Sequence, residues 1–578
     1  MAPTPAHARR RAPLVVAAYA AAFACPVAIA ALVALTVVDA PIYDEWIWSP
    51  LVLAAHGGTL RFADVWATQG AHRSVVPTLI ALALARIDGW NVRVEAFAGV
   101  LLALATQLLL LRLFLRRCGG VARAAAPFLF ASVLLWSLAQ CENWLWGFQL
   151  SWFLTNLCAV AVVVLLDEPA AAAAPLATGF AFAAAATAAA VASFSLIFGF
   201  GAWVAGAVML AVQREAARPR RAPTIAWLAC GALCAVTFLH GYAAPRFENG
   251  WIGRAPAPPA TAALFALTYL GAPLGIAGGW PACAAIGALF VAAFPVMMRL
   301  ARRERVPLAP WAALGAYVAV AAAMETLGRG GNGVAAATAF RYTTVSSLAW
   351  IAACGLLAAR ASAAPRSVPA GALGARIARL ALAAGIALGL TADLAGAFET
   401  LQLAGAQRAE AVALSHLRDV PDDELAQFAN DPRFVRGQAR RLDAARLSLY
   451  RARPVPRTAL ADPPRAPLPP WGPVRANADP PEIVALRVTP LRAGWGQLVR
   501  IDVETTTNAA LVELRVGGYG RALTKRTFGR FSGVYRLPFL PRALQVVRDV
   551  GFVVVARNAA GATVSRHVTV AVGPDGSG

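Results

Sequence analysis

Charged side chains are scarce in this sequence. Asp, Glu, Lys and Arg make up only 14% of its 578 residues, whereas 59% are hydrophobic and the mean hydropathy is +0.59. So much apolar surface cannot be buried in one soluble core. The composition therefore excludes a soluble globular protein and predicts an α-helical polytopic membrane protein.

Lysine and cysteine are also informative by their scarcity. Lysine occurs once, at Lys525, and no cysteine follows Cys354. The cysteines show no disulfide framework and no zinc motif. The net charge of +22 is carried by arginines that cluster at the ends of apolar runs. Anionic lipid headgroups and the positive-inside bias account for such arginines, so nucleic acid is not an expected partner.

Eleven apolar runs have the length of about 17–25 residues that a membrane-crossing helix needs. They are 14–38, 93–115, 124–140, 143–166, 170–190, 194–213, 222–240, 278–299, 309–326, 341–360 and 375–396. The arginine clusters fall on one side of these runs, which predicts a cytoplasmic N-terminus and an extracytoplasmic C-terminus. The first run is interpreted as an uncleaved signal anchor. Two shorter stretches, 74–87 and 261–273, are predicted to lie shallow in the outer interface.

Four regions follow from these patterns. Residues 1–397 are predicted to form the transmembrane domain, with a long first external loop at 39–92. Residues 398–452 are charged and helix-prone, and 453–481 form a proline-rich linker. Short alternating runs fill 482–578, which predicts a β-sandwich of immunoglobulin or fibronectin type III build.

Two adjacent carboxylates, Asp44 and Glu45, follow the first apolar run in the sequence Tyr43-Asp44-Glu45-Trp46. Carboxylates are costly to dehydrate, so such a pair lies in water or in a site that uses its charge. The same external loop carries His72 and Arg73. We therefore expect a functional site on the outer side of the membrane.

This pattern resembles the GT-C superfamily of polyprenyl-phosphate-dependent glycosyltransferases, in particular protein O-mannosyltransferases and lipid A aminoarabinose transferases. Asp44 and Glu45 match the acidic motif of that superfamily, and Arg93 matches the arginine that opens its next crossing. Residues 72–89 resemble its His-Pro-Pro-Leu helix, although this chain reads His72-Arg73-Ser74-Val75-Val76-Pro77. The resemblance covers about the first 120 residues and the general topology to residue 400.

The resemblance implies an enzyme of the bacterial inner membrane that moves a sugar from a polyprenyl-phosphate carrier to a lipid or envelope glycan acceptor. Such a transfer needs a base for the acceptor hydroxyl, and a partly desolvated carboxylate is suitable. Asp44 is predicted to be that base. Glu45 has three open roles: to orient the acceptor, to raise the pKa of Asp44, or to help hold a divalent cation such as Mg²⁺ or Mn²⁺.

The leaving phosphate needs fixed positive charge, which guanidinium groups supply through paired hydrogen bonds. Arg341 and Tyr342 stand out because they open a crossing directly after the glycine-rich run 328–333. A second polar island, around Glu142 and Asn143, links two crossings. The predicted substrate-binding residues are His72, Arg73, Arg93, Glu142, Asn143, Arg246, Arg329, Arg341 and Tyr342.

Two other functions remain open from the sequence. A glycolipid transporter or flippase is one, although the crossings carry little charge at mid-depth, where transporters place ionisable groups. An envelope-polymer ligase or polymerase is the other. The role of the β-sandwich, whether it binds the acceptor glycan or a partner, is also open.

Overall fold

The computed structural model describes residues 5–167, 175–212, 221–242, 257–363, 369–426, 431–451, 455–456, 458–462, 467–516, 519–540, 545 and 547–573. The chain forms two compact units. The membrane unit comprises Met1–Val37 and Gly57–Thr400, and the second unit comprises Val38–His56 and Leu401–Gly578.

Sixteen helices lie between residues 5 and 415 of the described chain. They are α1 (Pro5–Thr36), α2 (Ser49–His56), α3 (Phe62–Trp66), α4 (Val75–Asp88), α5 (Val92–Arg117), α6 (Val121–Leu135), α7 (Cys141–Leu145), α8 (Leu150–Leu166), α9 (Pro175–Ser193), α10 (Gly201–Val212), α11 (Arg221–Leu239), α12 (Pro259–Gly275), α13 (Gly279–Arg303), α14 (Ala309–Arg329), α15 (Thr343–Ala363) and α16 (Pro369–Ser415). All belong to the membrane unit except α2 and the end of α16.

The long apolar helices lie over the apolar runs that the sequence predicts to cross the membrane. Among the described residues, nine segments are long and apolar enough to cross a membrane, and two shorter apolar helices cover Gly179–Ser193 and Ile197–Val212. An apolar run in lipid becomes a helix because only a helix or a closed barrel satisfies every backbone polar group there. The prediction of a helical polytopic membrane protein is confirmed.

Helices α12 and α13 pack antiparallel at very close range. A Cβ atom built on Gly271 would lie 1.9 Å from the carbonyl oxygen of Cys283, and one on Gly287 would lie 1.9 Å from that of Leu267. Glycine at both positions lets the two backbones touch, as small residues do in membrane helix pairs. The ring of Tyr269 on α12 lies 5.7 Å from the ring of Tyr342. Helix α12 therefore lies beside the segment at Tyr342 that begins α15.

The second unit contains a helical part that encloses the segment around Trp46. Besides α2 and the end of α16, it has α17 (Asp422–Leu425) and α18 (Pro432–Ala445). The side chains of Trp46 and Trp48 are each only 1% exposed. On α18, the buried Arg436 donates hydrogen bonds to the carbonyls of Leu417 and Val420 and to Asp422.

The C-terminal β domain is confirmed as two packed sheets. Its strands are β1 (Ile483–Thr489), β2 (Arg492–Gly494), β3 (Leu498–Thr505), β4 (Ala509–Val516), β5 (Tyr519–Ala522), β6 (Thr524–Thr527), β7 (Arg530–Arg536), β8 (Asp549–Asn558) and β9 (Thr563–Gly573). The sheet orders are β1-β3-β7-β6 and β2-β9-β8-β4-β5, antiparallel except for the β2–β9 pair. Alternate residues face the core, as Val499, Ile501 and Val503 do on β3.

The first external loop, predicted at 39–92, is divided between the two units. Residues 38–56, with the acidic pair, belong to the second unit, and residues 57–92 belong to the membrane unit. Residues 38–56 belong to the second unit because their tryptophans are buried there. Trp46 is buried within the second unit, where its indole Nε1 donates to Glu410 Oε1 at 3.4 Å.

Candidate active site

The membrane unit gathers five of its polar side chains around the start of α15. We call this group the arginine cluster: Glu142, Glu325, Arg329, Arg341 and Tyr342. Glu325 and Arg329 lie at the end of α14, and Arg341 and Tyr342 lie in a short turn directly before α15. Glu142 comes from α7, in the polar island between two apolar segments. Residues far apart in the sequence are thereby brought together.

Arg341 forms an ion pair with Glu142. Its Nη1 lies 2.8 Å from Glu142 Oε2, and the two side chains are 33% and 19% exposed. The guanidinium also lies over the Tyr342 ring, 5.1 Å from its centroid. A partly exposed guanidinium held on one side by a carboxylate and an aromatic ring is oriented, and its remaining N–H groups can donate to an anion.

Arg329 differs from Arg341 in its hydrogen bonding. It lies near Glu325, one helical turn earlier, and near Tyr342, close enough to interact with both electrostatically. Within the part of the chain that the structure describes, its guanidinium makes no side-chain hydrogen bond. Five N–H donors are therefore available at a half-exposed position.

Asn143 holds the backbone of the cluster at Arg341. It is buried, and its Nδ2 donates to the Arg341 carbonyl at 2.9 Å and to Thr344 Oγ1 at 2.6 Å. Thr344 in turn donates to Gln140 Oε1 at 2.7 Å. The amide of Asn143 thus holds the backbone from which Arg341 projects, and its predicted role in binding substrate stays a prediction.

His72 lies near the cluster and is uncharged at neutral pH. Burial, followed by the positive charge of Arg329, lowers the pKa of His72 to about 4. Its Nδ1 accepts a hydrogen bond from the backbone N–H of Ile197 at 3.1 Å. The proton of the neutral ring is then on Nε2, which is the only nitrogen that can donate.

Two of the predicted phosphate ligands, Arg73 and Arg93, donate hydrogen bonds to backbone carbonyls, and their role toward phosphate stays a prediction. Arg73 is buried, and it donates to the carbonyls of Phe238, Trp66 and His240 at 2.6, 2.7 and 2.7 Å, so it caps the end of α11. Arg93 donates to the carbonyl of Ala34 at 2.8 Å, near the end of α1. Carbonyls at a helix end lack helical partners, and these guanidinium groups satisfy them. Arg246 lies outside the described residues.

The acidic pair belongs to the second unit, and its two carboxylates differ in exposure. Glu45 is fully buried, and its Oε2 accepts the backbone N–H of Ile42 at 2.8 Å. Asp44 is exposed. The expected partial desolvation thus falls on Glu45 and not on Asp44, because the turn at 43–47 directs Glu45 inward to cap its own N-terminus.

Sequence reasoning missed two acidic residues of α16. Glu399 interacts electrostatically with Glu142 in the membrane unit, and Glu410 interacts with Glu45 in the second unit. A signal for both was present. Each is an acidic residue within a long, largely apolar helix, and ionisable groups in such helices mark functional or paired positions.

Among the described residues, no group of three or more His, Cys, Asp or Glu side chains could hold a metal ion. The expectation of a divalent cation at Glu45 therefore has no ligand set to support it, and no reaction step is assigned to a metal.

Comparison with known proteins gives one structural similarity to report. The chain is similar to the crystal structure of ArnT from Cupriavidus metallidurans bound to undecaprenyl phosphate, with 15% identity, 73% of this chain and 85% of that chain covered, and a TM-score of 0.40. No protein-family profile and no curated protein matches the sequence.

Proposed function

We propose that the protein is a membrane glycosyltransferase that takes a sugar from a polyprenyl-phosphate carrier and delivers it to a lipid or glycan hydroxyl. The observation that carries this proposal is the pair of half-exposed arginines in the arginine cluster. Arg329 has open donors, and Arg341 is oriented by Glu142. Two guanidinium groups at one end of an apolar helix bundle, one of them oriented by a carboxylate, suit a phosphate that is attached to a lipid tail.

The cluster suits a phosphate through its guanidinium donors and not through a net charge. Glu142 and Glu325 formally balance the charges of Arg329 and Arg341, and His72 is uncharged, but Arg329 makes no side-chain hydrogen bond among the described residues and keeps its donors for a ligand. Tyr342 adds a hydroxyl close enough to Glu325 to interact with it electrostatically. As the sugar departs, negative charge grows on the phosphate, and donors already in place stabilise that charge without reorganisation.

The reaction balances as follows. The acceptor oxygen forms a bond to the anomeric carbon, the bond from that carbon to the phosphate oxygen breaks, and the electron pair leaves with the phosphate. The hydroxyl proton passes to a carboxylate base. Asp44 stays the predicted base for this proton, as the GT-C resemblance implies.

Arg329→Gln tests the phosphate assignment. Loss of a charge-assisted hydrogen bond costs about 1.5–3 kcal/mol, so transfer from an undecaprenyl-phosphate-linked sugar in membranes should fall by roughly 10–100-fold. The matched control is Arg302→Gln, which removes an exposed arginine near the C-terminal end of α13 and should leave transfer unchanged.

The same assay separates the alternative functions. Unchanged transfer in Arg329→Gln at normal expression would remove this residue as a phosphate ligand. Movement of the lipid-linked sugar across the bilayer of proteoliposomes, with no new glycosidic bond in any product, would replace the transferase by a flippase.

A further inference from the structure

The second unit presents four large apolar side chains to solvent near the start of the β-sandwich. Leu468, Trp471 and Val474 are 78%, 64% and 87% exposed, and Phe528 is 48% exposed. We call these four residues the apolar ridge. Single apolar side chains are normal on a protein surface, whereas contiguous ones mark interaction sites.

Three residues of the ridge occupy every third position of a proline-rich segment. Four of the eight residues 467–474 are prolines, and the segment lies in neither a helix nor a strand. Prolines favour the polyproline II conformation, which has three residues per turn. Side chains three residues apart then share a face. The sequence therefore aligns Leu468, Trp471 and Val474 along one side of the segment.

The segment is fixed to the turn between β6 and β7, which carries Phe528. The backbone N–H of Gly472 donates to the carbonyl of Phe528 at 2.8 Å, and the ring centroids of Trp471 and Phe528 lie 4.7 Å apart. A Cβ atom built on Gly472 would lie 2.3 Å from the carbonyl oxygen of Thr505, so glycine permits this close approach. The ridge is therefore contiguous and held in place by the sandwich.

The charge beside the ridge is positive. Lys525, the single lysine of the chain, is exposed, and its Nζ lies 4.6 Å from the centroid of the Phe528 ring. Among the described side chains, no carboxylate forms an ion pair with it. Residues 467–578 contain 14 Arg and Lys but only seven Asp and Glu. An apolar surface that combines a tryptophan with a neighbouring cation is complementary to the interface of an anionic bilayer.

We propose that the apolar ridge and Lys525 bind the surface of an anionic lipid bilayer. Leu468 and Val474 enter the boundary of the acyl chains, Trp471 lies at the level of the headgroups, and Lys525 contacts lipid phosphates. Exposed aliphatic side chains offer no hydrogen bonds to a glycan, which favours lipid as the occupant. The chain has membrane-spanning helices, so a bilayer is present at high effective concentration. This inference goes beyond the proposed function and does not rest on it.

Photolabelling from within the bilayer tests the proposal. The full-length protein is reconstituted into vesicles of phosphatidylethanolamine and phosphatidylglycerol that contain a phospholipid with a diazirine in its acyl chain. Trypsin releases residues 466–475 as one peptide, and labelled peptides are identified by mass spectrometry. We expect this peptide to be labelled. The peptide that contains Leu491, which is 59% exposed but lies outside the ridge, is the matched control and should stay unlabelled.

Two variants test the apolar contribution. Trp471→Ser should lower labelling of 466–475 by about ten-fold or more, because burial of a large apolar side chain contributes at least that factor. Leu468→Ser, at a side chain that is 78% exposed, should lower it in the same direction without a change in the thermal midpoint. Leu491→Ser is the control variant and should leave labelling of 466–475 unchanged.

Lys525→Gln tests the charge. Labelling of 466–475 should fall by about five-fold in the vesicles that contain phosphatidylglycerol, since one lysine near an anionic surface contributes about that factor. In vesicles of phosphatidylcholine alone, the variant and the wild type should be labelled equally. An equal loss in both kinds of vesicle would show that Lys525 does not recognise anionic headgroups and would reject this part of the proposal.

Labelling of 466–475 no higher than that of the Leu491 peptide would overturn the proposal, as would equal labelling in the wild type and in both serine variants of the ridge. If lipid labelling is absent and maltohexaose slows oxidation of Trp471 by N-bromosuccinimide, the ridge binds a glycan and the lipid proposal is wrong. None of these results bears on Arg329, because sugar transfer is measured separately.

Discussion

The two units use buried and half-buried arginines in different ways. In the second unit, Arg436 donates hydrogen bonds to two backbone carbonyls and one aspartate. These bonds hold the segment between Leu417 and Asp422 in place. In the membrane unit, Arg341 has one carboxylate partner and Arg329 has no hydrogen bond among the described residues. The difference teaches that an arginine near a site is informative only once its partners are known, since donors already used by carbonyls cannot bind a ligand.

The acidic residues show a similar contrast. In the membrane unit, Glu142 and Glu325 act on arginines, whereas in the second unit Asp44 is exposed and Glu45 caps a turn. Glu142 and Glu325 thus act on neighbouring arginines, whereas Asp44 is a predicted base whose role is tested by substitution. Three experiments can break or sharpen this comparison.

The largest expected effect is that of Asp44→Asn. If Asp44 is the base, removing its proton-accepting group lowers transfer by about 10²–10⁴-fold, the usual contribution of general base catalysis. The measurement is turnover of the lipid-linked sugar in membranes at matched expression. Asp64→Asn, which alters an acid paired with Arg61 elsewhere in the first external loop, should have no such effect. Full activity of Asp44→Asn would exclude it as the base.

A smaller effect, on stability alone, is expected for Arg436→Ala. The substitution leaves the carbonyls of Leu417 and Val420 without their donor at a buried position, which costs about 3 kcal/mol. The thermal midpoint of the full-length protein should therefore fall. Arg433→Ala on the same helix changes an exposed arginine and is the control. An unchanged midpoint for Arg436→Ala would show that these bonds contribute little, and the contrast between the units would weaken.

The smallest effect is expected at the Arg360–Glu304 pair of the membrane unit. The hydrogen bonds from Arg360, at 2.6 and 2.8 Å, lower the pKa of Glu304 below its ordinary 4.5. A lowered folded-state pKa gives stability that is present above pH 4.5 and is lost as the pH falls through the folded value. Because the Glu304 side chain is 43% exposed, Glu304→Gln should cost less than about 1 kcal/mol at pH 7. The cost should vanish in acid, and a cost that persists at pH 3 would contradict the ion-pair explanation.

Much of the fold could be predicted because its signals are local. The run Leu498–Val503 alternates and lies within β3, and Leu511–Val516 lies within β4. The apolar runs coincide with helices because length and hydropathy decide membrane insertion. The candidate site was predictable only in part. Glu142 and Arg341 were both selected from sequence, but their ion pair joins residues that no local pattern relates.

The sequence by itself determined a many-spanning helical protein with a C-terminal β domain and an acidic pair after the first span, since apolar length and alternation act over neighbouring residues. Only the tertiary structure decided how each charged group is buried and paired. It placed Arg73 at a helix end, left donors open on Arg329, paired Arg341 with Glu142, and buried Glu45 while exposing Asp44. The physical reason is that the availability of a charged group depends on its hydration and its partners, and both are set by residues distant in the chain.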